Sequence, residues 1–487
     1  MDFDSLWGFK RLCLAFRTLL RGVCQRYAVV LVLEDLQWAD QESIQLLRTL
    51  LTDKQRTQLL FVGTVQSATK AIGNLKLELS REDAPGAMQT IQIGDLSVEE
   101  VSDWVSKLLQ QDRVMIDALA ALVHRNTGGN VFFVAQFLRL LQEQLLVVYS
   151  LATYRREWDL DRIATKTHVA DNVLGVLSHK ISVLPNELQA ALTSAAFLGP
   201  SRFDAEILLQ TISSHERSDD QDEKESHNES KYCVDIEGLG ALEKMLSLGV
   251  NEGLLEKLGA PRMYKFAHDR IKETVAALVP TDETRIRLHL HIGRQVYQLS
   301  VDDVLAGCEE PFEDRLLLLA VHHLNLGSQL MYEKEQKSEL ARLNYRAAIV
   351  AFRMSSFFAA AEFLEAGLGL LDKDSRWDEY YEATLELATA LAHVQSCCGK
   401  PYVAATMVDE ILEHAKCLKD KLGAYRSSIR SLFQQGDYDM AIQTNLLVLD
   451  QLGLRIPRRF LKLHVLRLVL RVRFAATPTK TCWRFPK

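Results

Sequence analysis

Apolar residues in the first 27 positions recur at helical spacing (Leu6, Phe9, Leu12, Phe16, Leu19, Leu20), which predicts an amphipathic helix. The pattern then changes. Val29 to Leu33 is an unbroken aliphatic run, and Gln58 to Val65 (QLLFVGTV) is another, so both predict strands buried on two faces, as in a parallel sheet. A helix over Ser43 to Leu51 separates them and makes a right-handed crossover. A third short strand is expected at Thr90 to Ile93. Ser97 with Glu100 three residues later predicts a capping box on a helix reaching Gln110.

From there strand patterns thin out. The glycine-rich stretch His124 to Asn130 (HRNTGGN) stops one helix, and Phe133, Phe137, Leu138 and Leu141 share one face of the next, Phe132 to Gln144. Residues 145–160 predict a hairpin. Val169 to Leu184 and Asn186 to Phe197 predict two helices split by Pro185, and with Phe266 to Leu278 they suggest a winged-helix type module. Within it, Ser213 to Lys231 holds seven acids, three bases and no apolar residue, the composition of a disordered insert. Past residue 285 the chain reads as helical. Phe357, Ala360, Leu364 and Gly367 are spaced like Tyr402, Ala405, Asp409 and Leu412, and like Tyr438, Ala441, Asn445 and Val448. That recurrence predicts the second helices of tetratricopeptide-type repeats.

Composition narrows the function classes. A chain of 487 residues holds about three or four domains, and a net charge of −7 gives no general affinity for nucleic acid, leaving proteins or small molecules as partners. The eight cysteines lack framework spacing, and no apolar run approaches the ~20 residues of a spanning helix. A soluble, cytoplasmic protein is the expectation. Residues 455–487 carry ten Lys or Arg and no acid, which fits a further repeat helix with a basic tail; a weak membrane-surface contact is the alternative. His393, Cys397, His414 and Cys417 have a spacing that zinc could use, but on repeat helices buried packing is the preferred reading. His268-Asp269 reads as a helix start, since no Asn follows as a kinase catalytic loop requires.

The candidate chemistry sits at the end of the first strand. Val29 to Asp40 (VVLVLEDLQWAD) delivers Glu34 and Asp35 to the carboxyl end of a strand, where open α/β sheets bind ligands and where P-loop enzymes place the acids that hold Mg²⁺ and position water. Such sites also need a GxxxxGK[ST] loop to cradle the phosphates. None occurs in the 28 residues before Val29. The chain is therefore expected to be the downstream part of an ATPase whose front end is missing.

The order of motifs resembles the STAND branch of AAA-like ATPases, in particular the predicted ATPase module of multi-sensor serine/threonine and histidine kinases. It rests on LEDLQWAD at Leu33 to Asp40, GGNVFFVAQFL at Gly128 to Leu138, REWDLDRI at Arg156 to Ile163, YKFAHDRIKETVAALVP at Tyr264 to Pro280 and ELARLNYRAAIVAF at Glu339 to Phe352. The resemblance implies a mixed, mainly α fold. Residues 1–95 would be the Walker B half of a P-loop-type α/β domain, 96–150 a helical lid, 151–285 a winged-helix-like domain with the acidic insert, 286–455 an α-solenoid of repeats, and 456–487 a basic tail. It implies Mg-ATP as cofactor, Glu34 and Asp35 as Mg²⁺ ligands, and Asp35 as the catalytic acid facing the attacking water. Asp40, Gln66, Gly129 and Asn130 would complete the nucleotide site. Kinase or sensor domains, and proteins bound by the repeats, would be the partners. Gln66 stands where the family has a phosphate-sensing Arg, and Val131 where it has a Pro near the adenine. A neutral Gln cannot offset phosphate charge as a guanidinium does, so the expected function is a regulatory signal-transduction module with impaired nucleotide binding. The alternative is a non-catalytic interaction scaffold acting through its repeats.

Overall fold

The computed structural model describes residues 8–55, 58–66, 70–79, 88–151, 153–167, 173–199, 202–212, 236–301 and 310–454. The described chain is mainly helical and divides into two compact units, Lys10–Tyr332 and a unit from Glu333 onward to which Gly8 and Phe9 are also assigned. The acidic insert and the basic tail lie outside the described residues.

The first unit opens with α1 (Gly8–Cys24), β1 (Val29–Leu33), α2 (Gln41–Leu51), β2 (Leu59–Gly63) and α3 (Lys70–Leu79). The strands pair in parallel, Val29 opposite Leu59 through Leu33 opposite Gly63. Cys13, Cys24, Leu47, Leu50, Leu51, Ile72 and Leu75 form the apolar interior here. Arg21 grips Asp53 through both carboxylate oxygens at 2.5 Å, tying α1 to the end of α2. That guanidinium holds the Asp53 carboxyl below the usual carboxylate range. The expectation of strands buried on both faces fails. Val30 and Val32 on β1, and Leu60 and Val62 on β2, are exposed, Val30 at 61% and Leu60 at 57%. Successive side chains point to opposite faces of a strand, and among the described residues only one face is covered. The expected strand at Thr90 to Ile93 does not form either; Ile91 and Ile93 are exposed.

A helical layer follows: α4 (Val98–Leu109), α5 (Arg113–Thr127), α6 (Val131–Glu143), the hairpin β3 (Val147–Ser150) and β4 (Arg155–Trp158), and α7 (Leu160–Thr167). The capping box is formed in both directions, with Glu100 N–H on Ser97 and Ser97 N–H on Glu100. Val101, Val105, Ile116, Leu119, Val123, Val134, Phe137, Leu141 and Ile163 make one core. Each such fully buried side chain contributes roughly 1.5–3 kcal/mol against exposure.

Next come α8 (Val173–Ser182), α9 (Asn186–Leu198), β5 (Arg202–Asp204), α10 (Ala205–Ile212), α11 (Leu239–Asn251), β6 (Leu255–Lys257), β7 (Met263–Phe266) and α12 (Asp269–Ala277). The strands form an antiparallel sheet in the order β5-β7-β6. Leu188, Leu192, Leu208, Leu242, Leu246, Tyr264, Ile271 and Val275 fill the space between sheet and helices, and this core continues into the hairpin of α13 (Asp282–Val301) and α14 (Glu310–Gly327). Glycine sets how closely that hairpin packs. A Cβ on Gly327 would stand 2.8 Å from the Leu290 Cα, and one on Gly293 2.8 Å from the Leu324 amide.

The second unit contains α15 (Lys334–Arg353), α16 (Phe357–Leu370), the short α17 (Arg376–Glu379), α18 (Tyr381–Cys397), α19 (Pro401–His414), α20 (Leu418–Gln435) and α21 (Tyr438–Gln451). The pairs α15/α16, α18/α19 and α20/α21 pack as successive helix hairpins. The register read from sequence holds for Phe357, Ala360, Leu364 and Gly367, all buried. It is off by one in α19, where Ala404, Val408 and Ile411 face inward while Tyr402 is 85% exposed. In α21, Ala441 and Val448 are buried but Tyr438 is exposed. A polar clasp joins neighbouring hairpins. Arg376 pairs with Glu410, which also accepts the Trp377 indole N–H at 2.9 Å, and the Tyr381 hydroxyl donates to Asp420 at 2.6 Å.

Candidate functional site

The carboxyl ends of β1 and β2 are laced together by Thr64. Its hydroxyl accepts the Asp35 amide at 3.0 Å, its carbonyl accepts the Leu36 amide at 3.0 Å, and its own amide donates to Leu33 O at 3.0 Å. Asp35 takes the left-handed conformation, φ 56 and ψ 46, before a 3-10 turn over Leu36–Trp38. A non-glycine residue there is uncommon, and Asp is among the side chains that tolerate it best. The effect is a sharp exit from β1 that leaves Glu34 and Asp35 exposed beside each other.

Gln37 bridges this end of the sheet. Its Nε2 donates to Asp35 Oδ1 at 3.1 Å, and its Oε1 accepts the Gln66 amide at 3.1 Å, so Gln66 is held next to the acids by its backbone. Asp40 has a different task. Its carboxylate accepts the Ser43 amide at 2.7 Å and caps α2, which supports the loop.

Gly129 and Asn130 belong to a second knot. Gly128 ends α5 at φ 61, Gly129 follows at φ 78, and the Gly129 carbonyl accepts the Leu96 amide at 2.8 Å. A Cβ on Gly129 would stand 2.0 Å from the Leu96 carbonyl oxygen, so a side chain there forces the backbone apart. Asn130 caps α6 through the Phe133 amide, and its Nδ2 donates to Asp95 at 3.4 Å.

What joins the two knots was not legible in the sequence. The Trp38 indole N–H donates to Asp269 at 3.4 Å, at the start of α12, and the Lys272 ammonium lies 5.9 Å over the Trp38 ring. Lys272 also donates to Gly199 O at 2.5 Å; burial pushes its pKa down against the pull of Asp269. His268 caps α12 by accepting the Arg270 amide on Nδ1, and its ring stacks on Phe132 at 4.5 Å, 20° from parallel. The path Trp38, Asp269, His268, Phe132 thus connects the strand end carrying the acids to the first turn of α6. The sequence signal was present only as helix-start character at His268-Asp269.

Glu34 and Asp35 would form the acidic half of a Mg²⁺ site. Mg²⁺ is commonly held by one or two carboxylates with phosphate and water completing the octahedron, so the pair suits it in number. The phosphate-holding half is not matched: no GxxxxGK[ST] occurs in the sequence, and Gln66 is neutral. Among the described residues no three His, Cys, Asp or Glu are grouped to hold a metal. The suspected zinc spacing does not converge, since His393 lies against Arg430 whereas His414 stacks on Trp377.

Comparison with known proteins gives three findings. Residues 2–62 match the AAA ATPase domain family. The hybrid signal transduction histidine kinase G of Dictyostelium discoideum is 22% identical over 354 residues, 67% of this chain. The chain spans about a tenth of that relative's length, the match covering 10% of it. The crystal structure of a signal transduction ATPase with numerous domains (STAND) protein with a tetratricopeptide repeat sensor, from Pyrococcus horikoshii, aligns with 91% of this chain and 58% of its own at 12% identity and a TM-score of 0.33.

Proposed function

We propose, taking the AAA ATPase match of residues 2–62 as the premise, that this chain is the regulatory part of a signal-transduction ATPase. Glu34 and Asp35 would face Mg-ATP, and helices α8–α12 with β5–β7 would act as a winged-helix-like spacer. The observation that carries this reading is the linkage of the acidic strand end to α12 through Trp38 and Asp269. A shift at Asp35 passes through Gln37 and the 3-10 turn to Trp38, and from there to the stacked His268 and Phe132. Signalling kinases would be the downstream partners, and the hairpin repeats would receive the stimulus.

Phosphoryl transfer is mostly positioning and charge stabilisation. With only the acidic half of the site supplied by these residues, no catalytic step is assigned to the chain alone. The test is calorimetric titration of Mg-ATP into the protein. Saturable binding that Asp35→Asn weakens supports the switch. Silence at millimolar Mg-ATP rejects nucleotide switching for this chain and favours the second reading, a non-catalytic scaffold. That reading draws on the neutral Gln66 at the site.

A further inference from the structure

In the second unit α18 and α20 lie side by side; a Cβ on Gly423 would stand 2.4 Å from the Thr389 methyl. Two turns on, Arg430 of α20 places one guanidinium nitrogen 3.0 Å from both ring nitrogens of His393. A neutral imidazole offers a single acceptor nitrogen, so this contact uses at most one of the five guanidinium N–H donors. His393 is buried and packs against Phe352, ring centres 5.3 Å apart. Burial and the neighbouring cations of Arg430 and Arg426 push its pKa down to about 4, so it adds no charge at neutral pH. Cys397, one turn further along α18, is also uncharged there, since burial pushes its thiol up to about 11.

Arg430 is half-buried against the neutral His393, and among the described residues no carboxylate lies within ion-pair reach of it. Arg426, one turn earlier on α20, is a second cation close enough to act on Arg430, and it has an interaction of its own. The acid of this helix row, Glu386, sits two turns away on α18 beside Tyr345. A partly desolvated cation without a counter-charge is costly, and a planar guanidinium is shaped to take an oxyanion through two parallel hydrogen bonds.

We propose that Arg430, beside His393, is an anion-binding site on the helical-repeat unit that takes the carboxylate side chain of an acidic peptide. A nucleotide is a poorer fit, because the nearby cavity between α19 and α20, lined by Ala404, Val408, Ser427 and Ser431, measures about 70 Å³. An extended peptide needs no enclosure, and Arg430 is only half-buried. The site is independent of the acids on β1, so its test does not depend on nucleotide binding.

The experiment is fluorescence anisotropy of a labelled hexaglutamate peptide with the full chain, with inorganic phosphate titrated in parallel. Saturable, salt-sensitive binding is expected, weakened about tenfold or more in Arg430→Met and less in Arg430→Lys, which keeps the charge but loses the fork. If Arg430→Met fails to fold, Arg430→Lys with the His393 ring resonance decides. Bound peptide should raise the titration midpoint of His393 by neutralising its neighbour. Equal binding by wild type and both variants, or an unmoved His393, overturns the proposal. Arg430-dependent binding of phosphate without peptide binding overturns the peptide assignment.

Discussion

His289 and His323 show how a residue's meaning depends on its surroundings. Their Nδ1 atoms lie 2.9 Å apart, and His323 Nε2 is 3.4 Å from the Leu198 carbonyl. If His323 gives its Nε2 proton to that carbonyl, its Nδ1 accepts from the Nδ1–H of His289, and both rings are neutral. Burial pushes His289 down to about 4 and His323 to about 3, with the neighbouring His rings adding repulsion. An unfolded chain protonates both near 6.5. The unfolded state therefore binds more protons between that value and about 3, and stability is full above pH 6.5 and falls as pH drops. The urea midpoint should decline steadily from pH 7 to 4, and His323→Leu should flatten that slope. A midpoint independent of pH across this range would contradict the neutral pair.

At the scale of elements, backbone proximity separates what was legible from what was not. Capping boxes and helix stops are local, and Ser97, Glu100 and Gly128 announce them. The register of α19 was misread because Tyr402 is aromatic, and an aromatic at that spacing looks like a packing residue. The inward stripe is instead the aliphatic Ala404, Val408 and Ile411, on a helix packed against both α18 and α20. Gly327 carries a similar weight in the α13/α14 hairpin. Gly327→Ala should cost about 1–3 kcal/mol of stability through overpacking on the Leu290 backbone. Gly369→Ala, where an added Cβ meets nothing within 4 Å, should cost little. Comparing the two denaturation midpoints checks this.

For the whole chain, the contrast between the open sheet and the helical hairpins sets the behaviour. A two-stranded parallel sheet with Val30, Val32, Leu60 and Val62 exposed has few contacts per residue to resist opening. The hairpins of α15, α16 and α18 bury Leu340, Ala347, Phe357, Ala360, Leu364 and Leu387. Limited trypsin digestion should therefore cut within residues 10–79 before residues 334–397, and equal resistance would show that the sheet face is covered in solution. Among the described residues no helix is long and apolar enough to cross a membrane, which agrees with the short apolar runs of the sequence. By itself the sequence determined what depends on neighbours along the chain: the helical repeats, the two aliphatic strands, the caps, and the acids at the strand end. Those follow from periodicity and side-chain chemistry within a few residues. Only the tertiary structure decided which strand faces are covered, that Trp38 meets Asp269 across 231 positions, and that Arg430 lies against the ring of His393. Such contacts pair residues far apart in sequence, where no local pattern records the partner.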